Sequence, residues 1–196
     1  LVQSPQNSQE SMSLSQRWQA VMAKLRQAEQ AVCRAHGSVN LLAVSKLHPA
    51  QAIRELYAAG QTAFGENYVQ EALDKMVALA DLPLQWHLIG PLQSNKTQQV
   101  AANFDWVHSV DRLKIAQRLS AQRPTLLPPL QICLQVNIDD EDSKSGCALA
   151  DLPALAEAVL ALPQLRLRGL MAIPRPGNAG AHALLAKTAS DLLARL

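Results

Sequence analysis

Val39 to Ser45 (VNLLAVS) is an apolar run without helical period, and it ends at Lys46. A short run of this kind reads as a buried strand of a parallel sheet. A lysine carried by such a strand into a closed site loses hydration, which favours the uncharged amine and frees it to attack carbonyl carbons and form a Schiff base. A lysine that only marks where the strand meets water would occupy the same position, so position alone leaves both readings open.

Parallel α/β proteins build their sites at the carboxyl ends of the strands. Besides Lys46, that rule singles out Glu66 and Asn67, Gly90 to Lys96, His108 to Asp111, Asn137, and Met171. Asn67 precedes Val69 and Leu73 where a helix cap would stand. His87 alternates with Trp86 and Leu88 and should face away from them, either as a buried, hydrogen-bonded histidine or against a ligand. Asn95 and Lys96 read as the start of a helix. The acidic loop with Asp139, Asp140, Glu141 and Asp142 lacks the alternating ligand spacing and terminal glutamate of a calcium loop and reads as solvated.

The elements that must carry these residues follow from periodicity. Leu14, Trp18, Val21, Met22, Leu25 and Val32 predict an amphipathic helix reaching about Ala35. Pro49 and Gly60 bracket a second helix, with Gly60 as its left-handed stop. Further strands are predicted at 62–65, 85–89, 104–110, 130–136 and 165–171, and further helices at 66–79, 94–102, 111–121, 151–161 and 181–195. Six strands alternating with helices imply βα units and a parallel sheet, doubly wound or closed into a barrel.

Composition narrows the class. The 196 residues are 48% apolar, 17% charged and 4% aromatic, which predicts one globular domain with an aliphatic core. The 18 basic and 16 acidic residues are scattered and leave a net charge of +2, which argues against nucleic acid as a partner. Cys33, Cys133 and Cys147 are odd in number and lack a C-x-x-C pair, so neither disulfides nor a zinc site are expected. No apolar run approaches a membrane span and the polar start is unlike a signal peptide, so a soluble, cytoplasmic protein without membrane contact is expected. Met12 stands where a natural start would. Residues 1–13 read as a disordered tail or an appended remnant, and 14–196 as a single domain.

Several words of the sequence are more specific: LLAVSK at Leu41 to Lys46, FGENYVQE at Phe64 to Glu71, WHLIGPLQSNK at Trp86 to Lys96, SVD at Ser109 to Asp111, QVNIDDEDSKSG ending at Gly146, and RGLMAIP at Arg168 to Pro174. With these the chain resembles the pyridoxal-phosphate homeostasis proteins, which look like the barrel domain of alanine racemase without its second domain. The resemblance implies a parallel (β/α)8 TIM-barrel type α/β fold. It also implies pyridoxal 5′-phosphate held as a Schiff base on Lys46, with Asn67, His87 and Met171 around the cofactor. The implied role is buffering or delivering the cofactor inside the cell without catalysis, with cofactor-dependent apo-enzymes as partners and a monomeric whole protein.

Family members continue past the sixth strand with two further βα units that grip the cofactor phosphate, and this chain stops at Leu196. The barrel is therefore expected to be incomplete, with the last two units missing and two sheet edges open. Two other functions stay open at this point: an amino-acid racemase-like enzyme, and a truncated domain that binds no cofactor. Racemisation needs bases on both faces of the substrate, and the only tyrosines, Tyr57 and Tyr68, are predicted on outer helices.

Overall fold

A capping box opens the first helix: Ser13 Oγ accepts from the N–H of Gln16 (3.2 Å), and Gln16 Oε1 accepts from the N–H of Ser13 (2.8 Å). This helix, α1, spans Leu14–Ala31. The computed structural model describes residues 12–141 and 145–195. The predicted tail, up to residue 11, lies outside the described residues, as do Asp142 and Lys144 of the acidic loop.

Helix α1 ends four residues before the predicted Ala35. Cys33 takes a left-handed backbone (φ 55°), the N–H of Arg34 reaches Glu29 O (2.9 Å), and that of Cys33 reaches Gln30 O (3.1 Å). This is a Schellman stop with cysteine in the place glycine usually fills.

After it come β1 (Ala43–Val44), α2 (Ala50–Ala58), β2 (Ala63–Glu66), α3 (Val69–Ala78), β3 (Gln85–Leu88), a 3₁₀ turn (Ser94–Lys96), α4 (Thr97–Asn103), β4 (Trp106–Val110), α5 (Leu113–Gln122), β5 (Leu130–Gln135), α6 (Leu152–Leu160), β6 (Leu165–Met171) and α7 (Ala181–Leu193). The six strands form one all-parallel sheet in chain order, β1 to β6. Among the described residues β1 and β6 remain its two edges, so the sheet is the open arc of a barrel and does not close.

The first strand is much shorter than the run that predicts it. Val39 and Leu41 satisfy their backbone through side chains instead of a neighbouring strand: Glu29 Oε1 accepts from Val39 N–H (2.6 Å), Arg26 Nη2 donates to Val39 O (2.7 Å), and Gln61 Nε2 donates to Leu41 O (2.9 Å). Trp18 Nε1 donates to Gln61 Oε1 (2.9 Å), which ties α1 across the amino ends of β1 and β2.

The core lies between the helices and one face of the sheet. Phe64, Leu88, Val107, Ile132 and Leu134 supply the sheet side and Ile53, Ala72, Val100, Ile115 and Leu119 the helix side, all at most 1% exposed. Each large side chain buried there contributes roughly 1.5–3 kcal/mol before entropy is counted.

Candidate functional site

Strand alternation sorts the residues onto two faces. On β2, β3 and β4 the residues Phe64, Glu66, Trp86, Leu88, Val107 and Ser109 turn toward the helices. On the opposite, inner face Val44, Gly65, His87 and Trp106 stand side by side in register.

Lys46 follows β1 at the carboxyl end of the sheet, on the inner-face side of the alternation set by Val44. Its side chain is exposed and makes no hydrogen bond or ion pair with the described residues. The backbone around it is the opposite of free. Ser45 N–H reaches Gly65 O (2.9 Å), and His48 N–H reaches Ser45 O (3.0 Å), closing a turn with Lys46 and Leu47 at its centre. Leu47 is left-handed in this turn (φ 62°) although 77% exposed.

A buried ionic cluster holds that turn from the helix side. Lys75 of α3 donates from Nζ to Ser45 O (2.7 Å), Glu66 Oε1 (2.7 Å) and Glu71 Oε1 (2.6 Å). Ser45 Oγ donates to Glu66 Oε1 (2.6 Å), and Leu47 N–H donates to Glu71 Oε1 (2.6 Å). Glu66 is fully buried and Lys75 is 7% exposed, while the second oxygen of Glu66 has no partner. The Lys75 ammonium, aided by the Leu47 N–H against the cost of burial, holds the Glu71 carboxyl below its ordinary value. Position relative to strand ends selects Glu66 but not Glu71 or Lys75. The legible signal was a glutamate at an apolar-face position two residues after Phe64, with an i,i+4 Glu71–Lys75 pair nearby.

Asn67 stands at the end of β2, beside the residue level of Lys46. It does not cap α3: the helix starts at Val69 behind Tyr68, and no side chain bonds its first turn. Its backbone instead abuts Gly90, where an added Cβ would come within 2.4 Å of Asn67 O and 2.6 Å of its Cα. Glycine at 90 is what lets the β2 and β3 ends meet. Asn67 lines a cavity of about 180 Å³ with Ile89, Gly90, Gln135, Asn137, Ser145 and others at the carboxyl ends of β2, β3, β5 and β6. Met171 ends β6 in register with Gln135, and its carbonyl accepts from Val136 N–H (2.8 Å). Tyr68, predicted on an outer helix, instead precedes α3 at this same rim and is 55% exposed.

His87 faces away from Trp86 and Leu88 as predicted, but into a different space. It lines a cavity of about 510 Å³ at the amino end of the sheet, with Trp18, Gln61, Gln85, Trp106 and His108 among the walls. Leu42 and Ile89 lie over Gly65, 3.4 and 3.0 Å from where its Cβ would be, and so divide this cavity from the carboxyl-end one. His87 Nδ1 is 2.9 Å from His108 Nε2, and His87 Nε2 is 3.0 Å from Gln85 Oε1. With both rings neutral the chain of bonds closes: His108 donates to His87, which donates to Gln85. The His87 ring stacks on Trp106 (5.3 Å between centroids, 10° apart). Burial, reinforced by the neighbouring His108, pushes the His87 pKa down to about 3, and burial lowers that of His108 as well.

The donor set at the carboxyl end suits an aldehyde. Lys46 offers a primary amine on a fixed turn, and Asn67 adds a neutral amide at the same end of the sheet, while the Gln135 amide donates to Ser145 O (3.2 Å). An anion is less well served. Asp139 takes the backbone N–H of Arg175 (2.6 Å) and the amide of Asn178 (2.5 Å), so the Pro174 to Gly180 turn spends these donors internally. Asn137 is likewise engaged, with Glu141 O at 2.8 Å and Glu141 N–H at 3.2 Å. The three cysteines are free, and no cluster of metal-ligating side chains occurs among the described residues.

The chain is an open parallel α/β arc with an exposed, unengaged lysine at the carboxyl end of its first strand, and residues 17–187 match the family described as alanine racemase, N-terminal domain. Within that class, the chain belongs to the pyridoxal phosphate homeostasis protein family. It is 64% identical over 175 residues to the pyridoxal phosphate homeostasis protein of Pseudomonas aeruginosa, covering 88% of this chain and 76% of that one. To the protein of the same name from Escherichia coli it is 59% identical over 146 residues, 73% of this chain and 62% of the relative. Among solved structures it is similar to PipY of Synechococcus elongatus with pyridoxal phosphate bound, with a TM-score of 0.80 at 40% identity over 93% of this chain and 83% of that one. Alanine racemase of Clostridium difficile shares the fold alone, with a TM-score of 0.70 at 12% identity over 91% of this chain and 47% of that one.

Proposed function

We propose that this chain binds pyridoxal 5′-phosphate on Lys46 and serves its homeostasis, buffering the cofactor or passing it on. The observation that carries this is the pairing of an unengaged lysine amine with a backbone fixed on both sides of it. The cofactor supplies an aldehyde that condenses reversibly with a primary amine, releasing water. Asn67 and Met171 would contact it at the carboxyl ends of β2 and β6. His87 enters from behind Leu42 and Ile89, as part of the floor.

The bound cofactor of PipY and the names of the relatives support this reading. The same proposal takes residues 14–196 as a single domain, places the protein in the cytoplasm, makes the whole protein a monomer, and makes cofactor-dependent apo-enzymes its recipients. No described helix is long and apolar enough to cross a membrane.

Added pyridoxal phosphate should produce the visible absorbance of a lysine-bound pyridoxal, and borohydride reduction should fix its mass on the Lys46 peptide. Lys46→Ala should abolish both. An adduct unchanged in Lys46→Ala, or none in the intact protein, would refute the assignment. Deuterium exchange at Cα across a panel of amino acids separates carrier from racemase: a carrier gives none.

A further inference from the structure

We infer that Glu66, Glu71 and Lys75 form a positioning clamp for Lys46, fixing the main chain on both sides of the lysine while leaving its side chain untouched. The inference rests on the cofactor reading for its purpose, but the clamp is geometry of this chain alone.

The edge strand β1 gives Lys46 little support of its own. Among the described residues it is two residues long and pairs with β2 alone, and its Val44 is 49% exposed. A lysine on such an edge would swing with the loop that carries it. The clamp grips that loop at three atoms. The carbonyl of Ser45 is taken by Lys75 Nζ (2.7 Å), the hydroxyl of Ser45 by Glu66 Oε1 (2.6 Å), and the N–H of Leu47 by Glu71 Oε1 (2.6 Å). These atoms flank Lys46 directly. The grip also accounts for Leu47: a leucine holds a left-handed backbone only where its surroundings over-determine it, and the Glu71 bond to its N–H is such a determinant.

The bonds the cluster makes to the main chain converge on the two residues that flank the lysine. Its charges are two carboxylates and one ammonium. The fully buried Glu66 carboxylate spends one oxygen on Lys75 and Ser45, and its other oxygen has no partner. A purely structural pair would be satisfied by Glu66 and Lys75. The third member, Glu71, is one-quarter exposed (26%) and adds a bond to the turn beyond Lys46. The machinery that presents the amine thus sits on α3 and β2, within the FGENYVQE word and one helical turn past it.

Glu71→Ala is the first variant to make, because its partly exposed position keeps folding intact, and Glu71→Gln is its conservative rescue, retaining an acceptor for Leu47 N–H. Amide exchange in the cofactor-free protein should speed up at Leu47 by roughly tenfold or more in Glu71→Ala, with Phe64 and Leu88 unchanged and Glu71→Gln intermediate. Titration with pyridoxal phosphate, read as borohydride-trapped adduct on Lys46, should require roughly tenfold more cofactor in Glu71→Ala for the same final yield. Unchanged exchange at Leu47 overturns the clamp. Faster exchange with unchanged titration overturns its positioning role. If the unaltered protein traps nothing on Lys46, the cofactor reading falls, and the positioning role is judged instead on the rate of reductive methylation of Lys46 by formaldehyde. A rate equal in Glu71→Ala and the unaltered protein overturns it there.

Discussion

The inner face of the sheet has two ends, and they spend their polar groups differently. At the carboxyl end the buried charges of Glu66, Glu71 and Lys75 are committed to the main chain of a turn, and the one amine that turn presents is left unengaged. At the amino end the two histidines are bonded to each other and His87 to Gln85, with the His87 ring stacked on Trp106, so both nitrogens of His87 are taken. Both ends hold titratable residues in or beside a cavity. The difference is whether the framework or the titratable side chain itself absorbs the hydrogen bonds.

The largest expected effect breaks the carboxyl end. Lys75→Met removes the cation from between two carboxylates, one of them fully buried, and should cost about 3–5 kcal/mol in denaturant unfolding. Adding Glu66→Gln should recover part of that loss, because the stranded charge is what makes the single variant expensive. If the double variant is as unstable as the sum of the two single ones, the pair is not coupled and the cluster is misread.

The next prediction sharpens the amino end. His87 has a folded pKa of about 3 against an ordinary 6.5, so below pH 6.5 the unfolded chain takes up a proton that the folded one refuses. Stability should therefore be full above pH 6.5 and decline as pH falls toward 3. The carboxylates with lowered pKa, Glu71, Glu29 and Asp81, act from about their ordinary values of 4.5, 4.5 and 3.8 downward. For Glu29 burial pushes upward, and the N–H groups of Val39 and Gly37 together with Arg26 outweigh it. The interval between pH 6.5 and 4.5 thus belongs to the histidines. The loss there should be about 2–3 kcal/mol, and His87→Phe should flatten most of it in denaturation curves taken across that interval.

Much of this fold was legible in the sequence, and what was missed has a common cause. Period-2 and period-3.6 patterns located all six strands and the helices between them, because a sheet buried against helices must write its burial into its residues. The exceptions are backbone groups satisfied by side chains. Val39 to Leu42 read as strand but bond to Glu29, Arg26 and Gln61, partners 10 to 20 residues away that no local pattern announces. The clamp is hidden in the sequence for the same reason: Glu71 and Lys75 look like an ordinary i,i+4 helix pair until the turn at Lys46 is folded against them. Alternation puts His87 on the inner face but cannot say which of two cavities it enters. That division depends on Leu42 and Ile89 meeting over Gly65.

Gly90→Ala tests how tightly the carboxyl end is built. A methyl group there meets main-chain atoms of Asn67, which cannot swing aside as the tip of a side chain would. Overpacking of this kind costs about 1–3 kcal/mol. The cost should appear together with weaker cofactor trapping on Lys46, because the β2 end that neighbours the lysine has been pushed out. Thermal unfolding and adduct yield measured on one preparation would check both. A destabilised variant with normal trapping would show that Asn67 can move without consequence for the lysine.

The smallest expected effect separates strain from support at the turn itself. Leu47 pays roughly 1–2 kcal/mol for its left-handed backbone, and at 77% exposure it recovers little of that by burial. Glycine removes the strain but gives the unfolded chain about 0.5–1 kcal/mol more entropy to lose. Leu47→Gly should therefore stabilise the protein by about 0.5–1 kcal/mol net. If the clamp is what holds the turn, the gain comes with unchanged protection of the residue 47 amide, since Glu71 still accepts from it. If the leucine side chain is itself what holds the turn, glycine loosens it, protection falls and stability drops. The sign of a change below 1 kcal/mol thus decides whether the main chain beside Lys46 is set by the residue that bears the strain or by the buried charges that hold it there.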